Sequence, residues 1–138
     1  VAARERGSGR VCEQVYIEMM ARFSDLKGKT IIEICGLEKG SDSVEFVLDD
    51  GSVYAMAHEQ DCCEVVEIEE IFGDADCLIG QPVLVAEERI SDAESPEDDE
   101  YKMWTFYTLA TVKGYVDIRW CGTSNGWYSV SVDFKKIK

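Results

Sequence analysis

The sequence predicts a mainly β fold of the α+β kind: a curved antiparallel sheet or small sandwich of six to eight strands, with one or two short helices. Two observations carry that expectation. From Trp104 to Phe134, β-branched and aromatic residues alternate with polar ones over three segments separated by glycine-bearing turns, as half-buried strands do. Upstream, Val44, Phe46 and Leu48 alternate up to Asp50-Gly51, and Val53, Ala55 and Ala57 alternate away from it, which is a strong hairpin signal.

The turn at Ser124-Asn125-Gly126 sets the register of the last hairpin. A two-residue loop would pair Trp120 with Ser131 and Ile118 with Asp133, whereas a three-residue loop pairs Trp120 with Val130, Ile118 with Val132 and Val116 with Phe134. The second register gathers the large apolar residues on one face, so it is the expected one, with Gly126 left-handed. Val116, Ile118, Trp120, Tyr128, Val130, Val132 and Phe134 then face the core. Asp117, Arg119, Thr123, Ser129, Ser131 and Asp133 face outward, with Trp127 near the turn. In the segment before, Trp104, Phe106, Ala110 and Val112 alternate with Met103, Thr105, Tyr107, Leu109 and Thr111. A turn around Lys113-Gly114-Tyr115 sets Val112 opposite Val116 and Ala110 opposite Ile118.

The rest of the chain follows in order. Residues 1–22 carry Arg4, Arg6 and Arg10 among small residues and no apolar period. They read as an extension outside a single domain at 23–138, with translation expected to start at Met19 or Met20. Phe23 to Lys27 makes one helical turn with Ser24 as its cap, and Ile31 to Cys35 is a strand ending near Gly36. A two-residue Asp50-Gly51 turn pairs Leu48 with Val53, Phe46 with Ala55 and Val44 with Ala57, leaving Tyr54, Met56 and His58 on the opposite face. Cys63 to Phe72 suits either a helix, through Val65, Ile68 and Ile71, or a strand with Glu67 and Glu69 outward. Asp74 caps a short helix reaching Gly80, Pro82 to Ala86 is a strand, and Ser91 to Glu100, with Pro96 and a run of acids, is a mobile loop.

Composition excludes several function classes. At 138 residues with a formal net charge of −14, the chain is long enough for one core, and its charge is uneven. From Glu59 to Glu100 there are sixteen acids and one base, Arg89. Such a field repels nucleic acid and anionic membranes, which demand clustered Lys and Arg, and it attracts basic partners or simply confers solubility. No apolar run approaches the roughly 20 residues that span a bilayer. Cys12, Cys35, Cys62, Cys63, Cys77 and Cys121 lack the spacing of a disulfide framework or zinc ribbon, and the expected compartment is a reducing cytosol.

Candidate chemistry concentrates in one stretch, His58-Glu59-Gln60-Asp61-Cys62-Cys63-Glu64. Imidazole and thiolate suit zinc, so His58 and Cys62 can share a divalent ion, but a structural site needs four ligands and Cys35, Cys77 or Cys121 would have to complete it. A cysteine nucleophile with His58 as base is the catalytic version. Adjacent Cys62 and Cys63 on a strand would point to opposite faces, so only one could serve. The plainer expectation is a hydrogen-bonded histidine, packed cysteines, and no metal or other cofactor. Glu67 and Glu69 offer an acidic surface. Arg119, placed diagonally to Asp133, relieves the repulsion expected where Asp117 opposes Asp133. Trp127 with Tyr115 offers exposed aromatic area suited to a partner.

Several stretches resemble one family. His58 through Glu64, Gly73-Asp74 with Leu78-Ile79-Gly80, and Ala86-Glu87-Glu88 are among them. So are Trp104 through Gly114, Ile118-Arg119-Trp120 and Ser124 through Ser129. They are similar to those of an uncharacterised family of small acidic β-rich domains from bacteriophages, prophages and some bacteria, over about Phe23 to Ile137. The resemblance implies no mechanism. With the charge, it makes the expected function that of a phage-type accessory protein in the host cytosol. It would act as a non-catalytic interaction module, a decoy or inhibitor of a basic host protein. Its candidate binding residues are His58, Gln60, Asp61, Cys62, Cys63, Glu67, Glu69, Arg119 and Trp127. The alternative is a small-molecule or metal-binding domain built on His58 to Cys63.

Overall fold

The computed structural model of the chain describes residues 19–95, 100–126 and 128–138. Among them run β1 (Met19–Met20), a 3₁₀ turn (Phe23–Leu26), β2 (Ile31–Cys35), β3 (Ser43–Leu48), β4 (Val53–Ala57) and β5 (Val65–Phe72). A second 3₁₀ turn (Ala75–Leu78), β6 (Val85–Ser95), β7 (Glu100–Thr111), β8 (Gly114–Ser124) and β9 (Asp133–Lys136) complete the order. The mainly β, antiparallel architecture is the one the alternation predicts. The strands form two sheets, β1-β9-β4-β3-β2 and β5-β8-β7-β6. The ninth strand is β1, from the stretch that reads in the sequence as an extension: Met19 and Met20 pair with Lys136 and Lys135. Residues 1–18 of that extension lie outside the described residues.

The inner faces of the two sheets share one apolar cluster that includes Phe46, Met56, Ile68, Leu109, Ile118 and Trp120. The Trp120 indole N–H crosses between the layers and donates to Met56 Sδ at 3.3 Å. At one end Phe23 packs on Tyr107, with ring centroids 4.6 Å apart, and edge-on to Phe134 at 5.4 Å. The turn carrying Phe23 is capped by Asp25, whose carboxylate accepts the Arg22 N–H at 3.0 Å, and not by Ser24. Asp74 caps the second turn as expected, accepting from the Asp76 N–H.

The largest correction concerns the last hairpin, because β8 and β9 do not pair. β8 is filled on both edges, with Trp120 opposite Ile68 of β5 and Thr105 of β7, and β9 lies in the other sheet between β1 and β4. Val116, Ile118, Trp120, Val130 and Phe134 are all buried, as the alternation requires, while Tyr128 and Val132 are half-buried. Alternation fixes which face is covered and is silent on what covers it. Gly126 is left-handed, with φ 90°, but the chain beyond it leaves the β8 sheet. Val130 instead seats on Gly122, where an added Cβ would stand 2.6 Å from the Val130 Cβ and 2.8 Å from its carbonyl oxygen. Overpacking of this kind should make Gly122→Ala cost at least about 1–3 kcal/mol, read as a lowered denaturation midpoint. A neutral outcome would unseat Val130 from β8.

Four further readings differ from expectation. The β7–β8 turn is Val112-Lys113, so Thr111 pairs with Gly114 and Leu109 with Val116. That places Thr105, Tyr107, Leu109 and Thr111 inside, and Val112 is exposed. The β3–β4 loop has three residues, Asp49 to Gly51, because Leu48 N–H reaches the Ser52 carbonyl. Phe46 therefore opposes Tyr54 and Val44 opposes Met56, and Tyr54, Met56 and His58 share the phase of the buried face. Ser91 to Ser95 and Glu100 continue β6 and β7 as a long hairpin instead of a loop; residues 96–99 lie outside the described residues. Pro82 makes only an isolated bridge to Thr30, and the strand begins at Val85.

Candidate functional site

The stretch from His58 to Glu64 links β4 of one sheet to β5 of the other. His58 extends the inward phase of Tyr54 and Met56, and Glu64 that of Val66 and Ile68, so both side chains are driven into the gap between the sheets. They meet there. His58 Nε2 lies 2.6 Å from Glu64 Oε2, and their side chains are 5% and 0% exposed. The other ring nitrogen, Nδ1, lies 2.7 Å from the Ser131 carbonyl oxygen. Glu64 also accepts the Asp61 N–H on Oε2 and the Cys62 N–H on Oε1, each at 2.9 Å.

The geometry and the lowered Glu64 pKa together assign the protons. A backbone carbonyl can only accept, so Nδ1 must carry a proton. The Glu64 carboxyl, held well below the ordinary range by its hydrogen bonds, is ionised and only accepts, so Nε2 carries the other. His58 is therefore an imidazolium paired to a buried carboxylate. The His58 hydrogen bond, aided by the Asp61 and Cys62 N–H groups and opposed by burial, holds the Glu64 carboxyl down to about 2. Burial alone would depress the His58 pKa. The Glu64 hydrogen bond, the Ser131 carbonyl and the charges of Glu64 and Asp133 outweigh it, and the value rises. A ring that donates from both nitrogens has no lone pair for a metal or a substrate proton.

Gln60 completes the turn, its amide donating to the Glu64 and Cys62 carbonyls at 2.6 and 3.2 Å. Gln60, Asp61 and Cys62 thus act on Glu64 through backbone and amide groups, and the Asp61 and Cys62 side chains stay outside. The expectation that Cys62 and Cys63 point to opposite faces fails, because they occupy a bend before β5 and not a strand. Their thiols lie together, 2.8 Å between sulfurs, exposed and free. The Cys62 hydrogen bond, with burial and nearby negative charge, pushes the Cys63 thiol up, which disfavours the thiolate a nucleophile needs. Among the described residues no three His, Cys, Asp or Glu side chains converge as metal ligands.

Glu67, Glu69 and Arg119 lie on a second surface, the outer face of the β5-β8-β7-β6 sheet. Cys63 to Phe72 resolves as strand from Val65 onward, with Val66 and Ile68 buried and Glu67 exposed. A bulge between Ile68 and Glu70 places Glu69 beside Arg119. The Arg119 Nε lies 2.7 Å from Glu69 Oε1, an ion pair whose N–H is not aimed well enough to count as a hydrogen bond. Arg119 also lies over the Phe72 ring at 5.7 Å. Its expected partner Asp133 is in the other sheet, and Asp117 opposes not Asp133 but Phe72 and Thr108, accepting from the Thr108 hydroxyl at 2.5 Å. Trp127 lies outside the described residues. The aromatic area on this face comes from Trp104 and Phe106 on β7, with Arg89 over Phe106 at 4.9 Å, together with Phe72 and Tyr115.

Sequence reasoning passed over Glu64 as a site residue. The signal was present, since Glu64 shares the period-two phase of Val66 and Ile68, and an inward carboxylate requires a partner. The chain has a single histidine to supply it. No helix among the described residues is long and apolar enough to cross a membrane. Compared with known proteins, the chain matches no curated protein and no solved structure. A family model does match residues 24–134, most of the chain and nearly all of both sheets: it is a domain of unknown function, and the protein belongs to that family, DUF7448.

Proposed function

We propose that this domain is a phage-type accessory module that binds a partner without transforming it, and that the partner is a basic host protein docking on the outer face of β5-β8-β7-β6. The observation that supports it is the composition of that face. Trp104 and Phe106 are half-buried on β7, and Phe72 and Tyr115, 48% and 59% exposed, lie farther along the same face. Glu67, Glu69, Glu70, Glu87 and Asp117 share that face and outnumber Arg89, Arg119, Lys102 and Lys39, the last paired with Glu70 at 3.9 Å. Aromatic anchors within a carboxylate rim suit Lys- and Arg-rich surfaces, through cation–π contact and charge. The overall charge of −14 steers such a partner in. A decoy or inhibitor in the host cytosol needs this much and no catalytic group.

The alternative, a small-molecule or metal site at His58 to Cys63, would require His58 to release either Glu64 or Ser131. The imidazolium arrangement favours a structural role for that stretch. The test is capture of basic proteins from bacterial lysate on the immobilised domain, eluted with salt. A discrete basic protein should bind at low salt and be lost as salt rises past ~0.1 M, where screening reaches about 10 Å. Trp104→Ala and the Glu67→Gln/Glu69→Gln double variant should each weaken capture about tenfold or more. A Glu33→Gln/Asp42→Asn variant, changed away from this face, should not. Equal retention by all three variants would leave the charge as a solubility feature only.

A further inference from the structure

The thiols of Cys62 and Cys63 are reactive groups for which the buried ion pair has no use. They belong to neighbouring residues, yet the bend before β5 turns both sulfurs the same way and brings them to 2.8 Å. An S–S bond is about 2.05 Å long, so closing one here needs a displacement of less than about 1 Å. The bend is held on both sides of Cys62. Its N–H donates to Glu64 Oε1 at 2.9 Å, and its carbonyl accepts from the Gln60 amide at 3.2 Å. Both thiols are exposed and free, so an oxidant in solution can reach them. Among the described residues no third ligand converges with them as a metal centre requires. The chemistry that suits two such sulfurs is a bond to each other.

That bond would be reversible for a geometric reason. Consecutive Cα atoms stand about 3.8 Å apart, closer than the roughly 4.4–6.8 Å of ordinary disulfides. A ring closed between neighbours is therefore strained, and strained, exposed disulfides are the readily reduced ones. We propose that Cys62 and Cys63 form a thiol–disulfide exchange site for a low-molecular-weight disulfide, and that the buried Glu64–His58 pair senses its state. The Cys62 thiolate attacks one sulfur of the oxidant RSSR, expelling RS⁻ and leaving a mixed disulfide. The Cys63 thiolate then attacks the Cys62 sulfur, which forms the Cys62–Cys63 bond and expels the second RS⁻. The protons of the two cysteines pass to the two released thiolates. Two RSH leave, RSSR is reduced by two electrons and the protein is oxidised by two. Cys63 acts second because the hydrogen bond from Cys62, with burial, holds its proton on. Ring closure shifts the Cys62 backbone, whose N–H is one of the two that fix Glu64, and Glu64 lies 2.6 Å from His58 Nε2. The inference stands apart from the outer-face reading, with which it shares no residue.

The full chain is incubated with glutathione disulfide, quenched in acid, alkylated and mapped by mass spectrometry. The parent should lose two hydrogens within the peptide that carries Cys62 and Cys63, and regain them in excess reduced glutathione. Cys63→Ser, a change at an exposed position that should leave the melting curve intact, should stop at the mixed disulfide on Cys62. His58, the one histidine in the chain, reports the coupling. Its ring resonances should shift by NMR when the parent is oxidised and return when it is reduced. A parent that keeps both thiols, or that accumulates the mixed disulfide as Cys63→Ser does, would overturn the site. So would a Cys62–Cys63 bond that excess reduced glutathione fails to open. His58 resonances identical in the two states would overturn the coupling to Glu64.

Discussion

Trp120→Ala should destabilise the domain by about 3–5 kcal/mol, measured by denaturant unfolding. The indole is fully buried, lies mid-strand between Ile68 and Thr105, and reaches across the layers to Met56 Sδ. Removing it opens a void at the centre of the shared core and leaves neighbours from both sheets without contacts. Domains of this size are stable by only about 5–15 kcal/mol, so much of the margin would disappear. Ser131→Ala should cost well under 1 kcal/mol, because His58 uses only its backbone carbonyl and its hydroxyl meets Ser129 near the surface. Similar losses from the two variants would mean that Trp120 does not hold the sheets together.

Glu64→Gln should remove the pH dependence that the buried ion pair gives to stability. The Glu64 pKa falls from an ordinary 4.5 to about 2 on folding. Its contribution is therefore complete above about 4.5 and fades as pH drops toward 2. The His58 pKa rises above its ordinary 6.5 on folding. Its contribution is complete below 6.5 and fades as pH climbs through the folded value. The pair is worth most between about pH 4.5 and 6.5. The difference in Tm between parent and Glu64→Gln should peak in that window and shrink on both sides. Taking a difference cancels the effect of the many other carboxylates. A difference that stays flat from pH 3 to 9 would show that His58 and Glu64 do not titrate as a pair.

The same two regions mark what side-chain patterning can and cannot tell. Val116, Ile118 and Trp120 advertise an inner face because successive residues alternate, and they are indeed inside. Partnership is another matter. Trp120 and Val130 are both buried and lie close in sequence, yet one belongs to the β8 sheet and the other packs onto Gly122 from the chain running toward β9. A period of two is satisfied equally by a neighbouring strand and by an opposing sheet. Turn lengths fail for a related reason: Asp50-Gly51 marks where the chain reverses, but whether Leu48 meets Ser52 or Val53 depends on which face the core requires. His58 was visible as a candidate from its residue type. Its engagement by Ser131 was not, because Ser131 lies 73 residues away.

The position of β9 has a consequence for synthesis. Strands β5 to β8 can assemble with β6-β7 and β7-β8 as local hairpins. The other sheet has β9 between β4 and β1, so Met56 awaits Phe134 and Met19 awaits Lys136. Until β9 leaves the ribosome, β4 presents an open edge, and before Ser131 emerges the His58 ring lacks its carbonyl. The first sheet to begin is thus the last to close. A nascent chain stalled after β8 would expose an unpaired strand able to recruit another copy.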